Sequence, residues 1–121
     1  MDFDANKPIF QQIADAMLAL ILQGKWSPGE RIPSVRDLAV EFEVNPNTAM
    51  RSYTYLQELQ IIYNKRGVGY FVEPSGVNKA LSVKKEEFLS RDIPNLFEKM
   101  ETMEMSIEEL IELFNNQKNK K

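Results

Sequence analysis

The sequence contains no cysteine and no histidine among its 121 residues. Without cysteine the chain can form no disulfide and use no thiolate, and without histidine it lacks the commonest general base and the commonest transition-metal ligand. The residues that remain indicate no nucleophile–base–orienter set. We therefore predict that the protein is not an enzyme and that it binds no cofactor and no metal.

Long hydrophobic runs are also missing. The longest, residues 16–22, is far shorter than the roughly 20 residues that a membrane-spanning helix needs. The first residues, Met-Asp-Phe-Asp, do not form the basic segment of a secretory signal. These absences predict a cytoplasmic protein that has no membrane partner.

An excess of positive charge, which is common in proteins that bind nucleic acids, is absent as well. The formal net charge is -3 and the isoelectric point is about 5.1. An acidic total does not exclude a local basic face, because acidic residues elsewhere hide it in the sum. The basic candidates all lie in one central segment and are Arg31, Arg36, Arg51, Lys65 and Arg66.

Apolar residues at helical spacing predict an amphipathic first helix that opens at Lys7-Pro8 and ends at Gly24. Phe10, Leu18 and Leu22 widen its apolar belt. A belt of this width indicates burial on more than one side, in part against another chain.

Two further helices follow, separated by a tight turn at Glu43-Val44. Ser34 is a good N-cap and Asp37 completes a pair that resembles a capping box, while Asn45 followed by Pro46 predicts the start of the next helix. Two helices of about 9 and 14 residues, joined by a few residues, are typical of a helix-turn-helix.

A small β-hairpin is predicted next. The β-type runs 61–63 and 70–72 flank a loop that holds two glycines and two cations. Residues 74–76, Pro-Ser-Gly, mark a boundary. The predicted fold is therefore mainly α with a small β wing, in which a winged helix-turn-helix domain (1–74) is followed by a C-terminal helical segment.

That segment is predicted to be helical over 77–116, with a kink or restart at Pro94 and a helix start at Ser106, which pairs with Glu109. So few residues cannot hide several apolar stripes alone, so we expect dimerisation through these helices, with the first helix as a possible contributor. Residues 117–121 are predicted to be a disordered basic tail. The methionine group favours a core or dimer interface over a small-molecule pocket, and consists of Met100, Met103 and Met105.

The third helix carries the residues predicted to read DNA. An α-helix fits the major groove, where its N-terminal residues reach the base edges. Arg51 suits guanine and Asn47 suits adenine, while Thr48 suits a phosphate oxygen. Arg36, at the start of the second helix, is expected at the phosphate backbone or the groove edge.

The wing supplies the other predicted contacts. Lys65 and Arg66 suit phosphates or the minor groove, and Gly67 lets the backbone approach closely. Each signal has a plainer interpretation. Arg36 can pair with an acidic neighbour, Arg51 can pair with an acidic residue such as Glu58, and the wing tip can be a simple solvated turn.

The ordered motifs resemble the GntR family of bacterial transcription regulators. The pattern P-G-x-x-I-P-S-x-R-x-L-A spans residues 28–39, with P-I-F-x-Q-I at 8–13 and R-G-x-G-x-F-V at 66–72. Val-Asn-Pro-Asn-Thr at 44–48, followed by Arg51 and Tyr53, is similar to the short, YtrA-like branch. The resemblance implies a homodimeric repressor that binds an operator in double-stranded DNA, with contacts from Arg36, Asn47, Thr48, Arg51 and Gly67.

The chain departs from the family pattern at four positions. Pro46 and Met50 stand where many members have arginine, so base reading is expected to depend more on the neighbouring polar residues. Glu43 and Gln60 stand where the family often has glycine, which predicts a strained backbone or a different turn at each.

The function predicted from these features is a sequence-specific DNA-binding transcription regulator, a repressor that binds a palindromic operator as a homodimer. The alternative is a winged-helix module that binds other proteins and not DNA, which the acidic charge favours. The sequence indicates no particular small-molecule effector.

Overall fold

Helix α1 (Ile9–Leu22) opens the fold in a computed structural model that describes residues 7–120. Pro8 takes an extended conformation and its carbonyl accepts from the N–H of Gln12, so it caps the helix instead of beginning it as expected. Gln23 and Gly24 close the helix, as predicted. The predicted first domain also included residues 1–6, which lie outside the described residues.

Helices α2 (Val35–Phe42) and α3 (Pro46–Glu58) form the predicted helix-turn-helix. The Ser34 hydroxyl accepts from the Asp37 N–H at 3.1 Å, which satisfies one of the free donors of the first turn. The Asn45 side chain accepts from the Asn47 N–H at 2.8 Å, and Pro46 occupies the first turn of α3. Both predicted helix starts are confirmed.

Two non-glycine residues have left-handed backbone conformations in this unit. Glu43, between α2 and α3, has φ 55°, and Gln60, after α3, has φ 58°. These are the two positions at which the family resemblance predicted strain, and the prediction is confirmed. A side chain in this region costs roughly 1 kcal/mol or more relative to glycine, so the turn is held by the hydrogen bonds around it.

The core of the first unit is built around α3, which packs against α1 and α2. Tyr53 is fully buried on α3, and its hydroxyl donates to the Pro33 carbonyl at 2.6 Å. The ring of Tyr53 also meets the edge of Tyr70 in the hairpin, with centroids 4.8 Å apart. One side chain therefore ties α3 to the start of α2 and to the wing, which fixes the elements that carry the candidate contacts.

The wing is an antiparallel pair, β1 (Ile62–Lys65) and β2 (Gly69–Val72). Its register pairs Ile62 with Val72 and Lys65 with Gly69, so residues 66–68 form the tip. The segment 28–32, predicted only as a turn, lies along β2 as well: the Gly29 N–H donates to Val72 at 3.0 Å and the Ile32 N–H donates to Tyr70 at 2.9 Å.

The chain divides into two compact units between Val83 and Lys84, instead of between the predicted domains 1–74 and 77–116. The cause lies in α4 (Gly76–Glu87), whose first turns pack on the first unit. Ala80 is fully buried there. A Cβ added to Gly76 would lie 2.8 Å from the Ile61 carbonyl oxygen and 2.8 Å from a methyl group of Val72.

The second unit continues through a π-helical turn (Phe88–Asp92) into α5 (Ile93–Thr102) and α6 (Ile107–Asn119). The predicted kink at Pro94 takes the form of this wider turn, directly before a proline that lacks an N–H. Ser106 caps α6 by accepting from the Glu109 N–H at 3.2 Å, as predicted. The predicted disordered tail, 117–121, is instead helical through Asn119. The positive charge of Lys118 in the last turn stabilises this end, because the C-terminus of a helix carries the negative end of its dipole. Residue 121 lies outside the described residues.

Candidate nucleic-acid interface

The exposed face of α3 carries most of the predicted base-reading residues. Asn47 and Arg51 are exposed and lie four residues apart, which places them on the same side of a helix. Met50 is exposed beside them, whereas Ala49 and Tyr53 are buried. Within its first two turns, helix α3 therefore has one exposed face, with Asn47, Met50 and Arg51, and one buried face, with Ala49 and Tyr53.

Thr48 lies at the edge of this face and is half-buried. Its carbonyl accepts a 3.3 Å hydrogen bond from the Ser52 hydroxyl, and no described side-chain bond engages its own hydroxyl. The position suits a contact with a phosphate at the groove edge better than a contact with a base deep in the groove.

Arg51 packs on an aromatic residue of α1. Its guanidinium carbon lies 4.2 Å from the centroid of the Phe10 ring, within the range of a cation–π contact. Within residues 7–120 it makes no ion pair, so the plainer interpretation, a pairing with Glu58 or Asp37, does not describe this structure. The wide apolar belt of α1 was predicted to pack in part against another chain, but at Phe10 it packs against Arg51 of the same chain.

Arg36 is exposed in the first turn of α2. The start of that helix is fixed by the Ser34 cap and by the Tyr53 hydroxyl at Pro33. Over the described part of the chain, the ion pairs join Lys7 with Asp15 and Arg91 with Glu87, and none involves Arg36. Its charge is therefore available to an outside anion.

The tip of the wing carries Lys65, Arg66 and Gly67, all exposed. The Val68 N–H donates to the Lys65 carbonyl at 2.9 Å and closes the turn. Gly67 has φ 79° and nothing lies within 4 Å of a Cβ built on it, so it serves the turn and leaves the tip open on that side.

Arg31 joins the wing in a way that the sequence did not predict. Its backbone bridges to Phe71, and its Nε lies 2.8 Å from the point that a Cβ on Gly69 would occupy. Gly69 therefore makes room for the guanidinium beside the hairpin. Arg31 was among the basic candidates of the sequence, but nothing in the sequence placed it beside the wing. The pairing of 28–32 with β2 is a long-range contact that no local motif indicates.

The predicted contact residues on α3, on α2 and at the wing tip belong to adjoining elements of one unit. Asn47, Thr48 and Arg51 share α3, Arg36 begins the helix packed against it, and the basic tip ends the hairpin that Tyr53 contacts through Tyr70. Burial raises the pKa of the Tyr53 hydroxyl well above its usual range, with a smaller contribution from Tyr70. The hydroxyl is therefore a neutral hydrogen-bond donor that organises the unit and takes no part in acid–base chemistry.

No cluster of three or more potential metal ligands occurs among residues 7–120, and no helix in this range is long and apolar enough to cross a membrane. A surface depression of about 420 Å³ lies along α5, lined by Asn95, Glu98, Lys99, Thr102 and Met103. Of the methionine group, Met100 is buried and Met103 is exposed.

A three-helix core with a helix-turn-helix and a basic hairpin defines the class of winged helix-turn-helix DNA-binding regulators. The family model for bacterial regulatory proteins of the gntR family matches residues 9–72, and the chain belongs to this family.

Two relatives from Bacillus subtilis (strain 168) agree with this assignment. The HTH-type transcriptional regulator YhcF is 30% identical over 110 residues, which cover 91% of this chain and 89% of YhcF. The HTH-type transcriptional repressor YtrA is 39% identical over 72 residues, which cover 60% of this chain and 55% of YtrA. The resemblance to the short, YtrA-like regulators is thereby confirmed.

Solved structures show the same fold. A GntR-family transcriptional regulator from Bacteroides thetaiotaomicron superposes with a TM-score of 0.77 at 40% identity, covering 93% of this chain and 98% of that one. S. agalactiae BusR, solved in complex with its busA-promotor DNA, superposes with a TM-score of 0.63 at 27% identity, covering 92% of this chain and 57% of that one. The chain is accordingly a DNA-binding regulator of transcription.

Proposed function

We propose that this protein is a repressor that binds a palindromic operator as a homodimer in the cytoplasm. The observation that carries the proposal is the capped, exposed N-terminal face of α3, on which Asn47 and Arg51 stand without an ion-pair or hydrogen-bond partner for their side chains among residues 7–120. Groups of this kind, placed at the start of a recognition helix, are suited to base edges in the major groove.

The contacts divide into two kinds. Arg51 offers two parallel N–H donors to guanine and Asn47 offers a donor and an acceptor to adenine, so these two supply specificity. Thr48 and Arg36 supply phosphate contacts that fix the register. The wing tip, with Lys65, Arg66 and Gly67, contacts phosphates or the minor groove beside the site.

The homodimer is supported by the apolar surface of the second unit. Ile107, Ile111 and Phe114 follow helical spacing on α6, and Phe114 is 67% exposed in the single chain. Other large apolar side chains of this unit are exposed too, namely Phe88, Leu89, Phe97, Met103 and Leu113. Exposed apolar surface of this extent is typical of an interface between chains.

Repression is the direction of control that the relatives favour. YtrA, which is 39% identical over 72 residues, is named a transcriptional repressor. A small regulator bound at a promoter lowers transcription by occluding the site. The half-sites of a two-fold symmetric operator are expected about 34–36 Å apart, because a symmetric dimer places two identical helices on the same side of the duplex.

The test is selection of bound duplexes from a random pool by the full chain. We expect an inverted repeat to be enriched, and transcription from a promoter that carries it to fall when the protein is added. Enrichment of no sequence would instead favour the module that binds other proteins, and enrichment of a single half-site would contradict the symmetric dimer.

The selected duplex then tests the base-reading role of Arg51. Arg51→Ala should weaken binding by about 1–3 kcal/mol and relax the preference at one base pair, as measured by fluorescence anisotropy. Lys25→Ala is the matched control, because it removes an exposed cation outside the proposed interface. Equal effects of the two variants would reduce Arg51 to a general electrostatic role.

A further inference from the structure

Phe10, in the first turn of α1, lies against Arg51 of α3. It belongs to the family pattern at residues 8–13, but that pattern gives it no role in DNA binding. We propose that Phe10 is a positioning residue, which presents the Arg51 guanidinium to DNA through a cation–π contact. The inference rests on the proposed function, since it concerns how one of its contact residues is held.

The first support is the geometry of the contact itself. The Arg51 guanidinium carbon lies over the Phe10 ring, 4.2 Å from its centroid. A guanidinium that packs on an aromatic ring uses its π-face, and its N–H donors point outward in its own plane. The contact therefore restrains the side chain and leaves its hydrogen-bonding edge open to a base or a phosphate.

The second support is that Phe10 is fixed to α3 at two neighbouring positions. Its carbonyl accepts a 2.7 Å hydrogen bond from the hydroxyl of Ser52, which is fully buried. Its ring meets the edge of Tyr55, with centroids 6.0 Å apart and an interplanar angle of 79°. The start of α1 is thus attached to α3 at Arg51, Ser52 and Tyr55, so the ring is a fixed platform under the arginine.

The third support is the absence of any competing restraint. Arg51 is exposed, and no carboxylate of residues 7–120 forms an ion pair with it. A long exposed arginine otherwise samples many rotamers, and immobilising such a side chain on binding costs conformational entropy. Packing on Phe10 removes part of this cost before DNA arrives, which is pre-organisation of the binding surface.

A double-mutant cycle tests the coupling. Dissociation constants for the selected duplex are measured for the wild-type protein, Phe10→Leu, Arg51→Ala and the double variant. Phe10→Leu keeps an apolar side chain and removes the ring. We expect it to weaken binding about two- to tenfold when Arg51 is present and to have almost no effect when Arg51 is already alanine.

Two control variants separate positioning from packing. Ile9→Ala changes an exposed apolar neighbour in the same turn and should leave binding unchanged. Phe10→Tyr retains an aromatic ring, so its affinity for the selected duplex should stay within about twofold of wild type. A loss in Phe10→Leu that is equally large with and without Arg51 would overturn the inference, as would tighter binding by Phe10→Leu.

A measurement on the unaltered protein covers the case in which Phe10→Leu fails to fold. The Arg51 side-chain protons should have NMR signals shifted by the Phe10 ring current, and the shift should persist when the selected duplex is added. Loss of the shift on binding would overturn the inference, because the arginine would then have left its platform.

The outcomes distinguish this inference from the proposed function. If the wild-type protein selects no duplex, the proposed function fails and the inference fails with it. If a duplex is selected and Arg51→Ala weakens its binding while Phe10→Leu does not, the inference alone fails.

Discussion

The two units treat their apolar residues in opposite ways. In the first, which ends at Val83, a core of fully buried aliphatic side chains includes Ile13, Leu18, Leu38 and Leu56. In the second, which begins at Lys84, Met100 is the one buried large side chain among the described residues, whereas Ile111 and Phe114 are more than half exposed. The first unit therefore buries a hydrophobic core within one chain, whereas the second leaves most of its apolar side chains exposed to solvent.

This difference indicates which part of the chain would gain most from the proposed dimerisation. Burial of an aliphatic side chain contributes about 1.5–3 kcal/mol, and the second unit leaves most of that contribution unused within one chain. Its helices instead rely on local devices, such as the Ser106 cap and acidic residues at the start of α6. A second copy that covers the exposed stripe would supply the missing burial.

The largest expected effect comes from the core of the first unit. Ile13→Ala should lower the free energy of unfolding by about 2–5 kcal/mol, because it leaves a cavity at a site with 0% exposure. Ile111→Ala, at 53% exposure, should change the stability of the dissociated chain by about 0.5 kcal/mol or less. Urea unfolding followed by far-UV circular dichroism, which reports the helices of both units, measures both variants at low protein concentration. Similar losses in the two variants would remove the contrast between the units.

The next effect concerns assembly. If the protein is the proposed dimer, Ile111→Asp combined with Phe114→Asp should convert it to a monomer, because the change places two charges in the proposed interface. Operator affinity should then fall about 100-fold or more, since the two half-sites no longer bind as a linked pair. Light scattering and anisotropy check the two parts.

Val40→Asp is the matched control for assembly, because Val40 is 75% exposed in the first unit. It should remain dimeric. A wild-type chain that is already a monomer at micromolar concentration would contradict the interface.

A smaller effect is expected at the residue that joins the helices to the wing. Tyr53→Phe should cost about 1 kcal/mol, because the hydrogen bond to the Pro33 carbonyl is lost. Tyr63→Phe is the control, since the Tyr63 hydroxyl forms no hydrogen bond with the described part of the chain. Denaturant unfolding at neutral pH compares them.

The same residue gives a pH dependence. Burial raises the pKa of Tyr53 above its usual value of about 10, so the neutral hydroxyl is favoured in the folded state. This contribution is complete below pH 10 and is lost as the pH rises from there through the folded-state pKa. The difference in stability between wild type and Tyr53→Phe should therefore shrink above about pH 10; a constant difference would contradict the burial of this hydroxyl.

The smallest effect is a gain in stability. Glu43→Gly should raise the free energy of unfolding by up to about 1 kcal/mol, because glycine adopts a φ of 55° without strain. Glu41→Gly, at an exposed position in the last turn of α2, should instead lower it, by up to about 1 kcal/mol. Gln60→Gly should gain less than Glu43→Gly, because the Gln60 side chain also accepts a 3.2 Å hydrogen bond from Lys79. A loss at Glu43 would show that its side chain has another structural role.

Local signals predicted much of the first unit. The caps at Ser34 and Asn45 depend on residues within a few positions of each other, whereas the left-handed turns at Glu43 and Gln60 were implied by the resemblance to a family that often has glycine there. Such features follow from hydrogen-bond donors at helix ends and from backbone sterics, so sequence patterns contain them. The fold class and the helix-turn-helix were accessible for the same reason.

Long-range contacts were not accessible in this way. The bond from Ser52 to the Phe10 carbonyl spans 42 positions, and the bridge between Arg31 and Phe71 links distant segments. No periodicity or cap encodes such a pairing. The exposed positions of Asn47, Arg51 and the wing tip agree with the roles predicted for them, whereas the platform under Arg51 and the place of Arg31 emerged only from the packing.

Gly76 has a consequence for how the two parts of the chain are connected. Side chains normally cushion the approach of a helix to a sheet, but here a methyl group would already collide with the Ile61 carbonyl and with Val72. The first turn of α4 therefore lies directly against the Ile61 carbonyl and the Val72 side chain, and no side chain at position 76 separates them. Any larger residue at position 76 would therefore have to shift the start of α4 away from Val72, a residue of the strand that follows the basic tip.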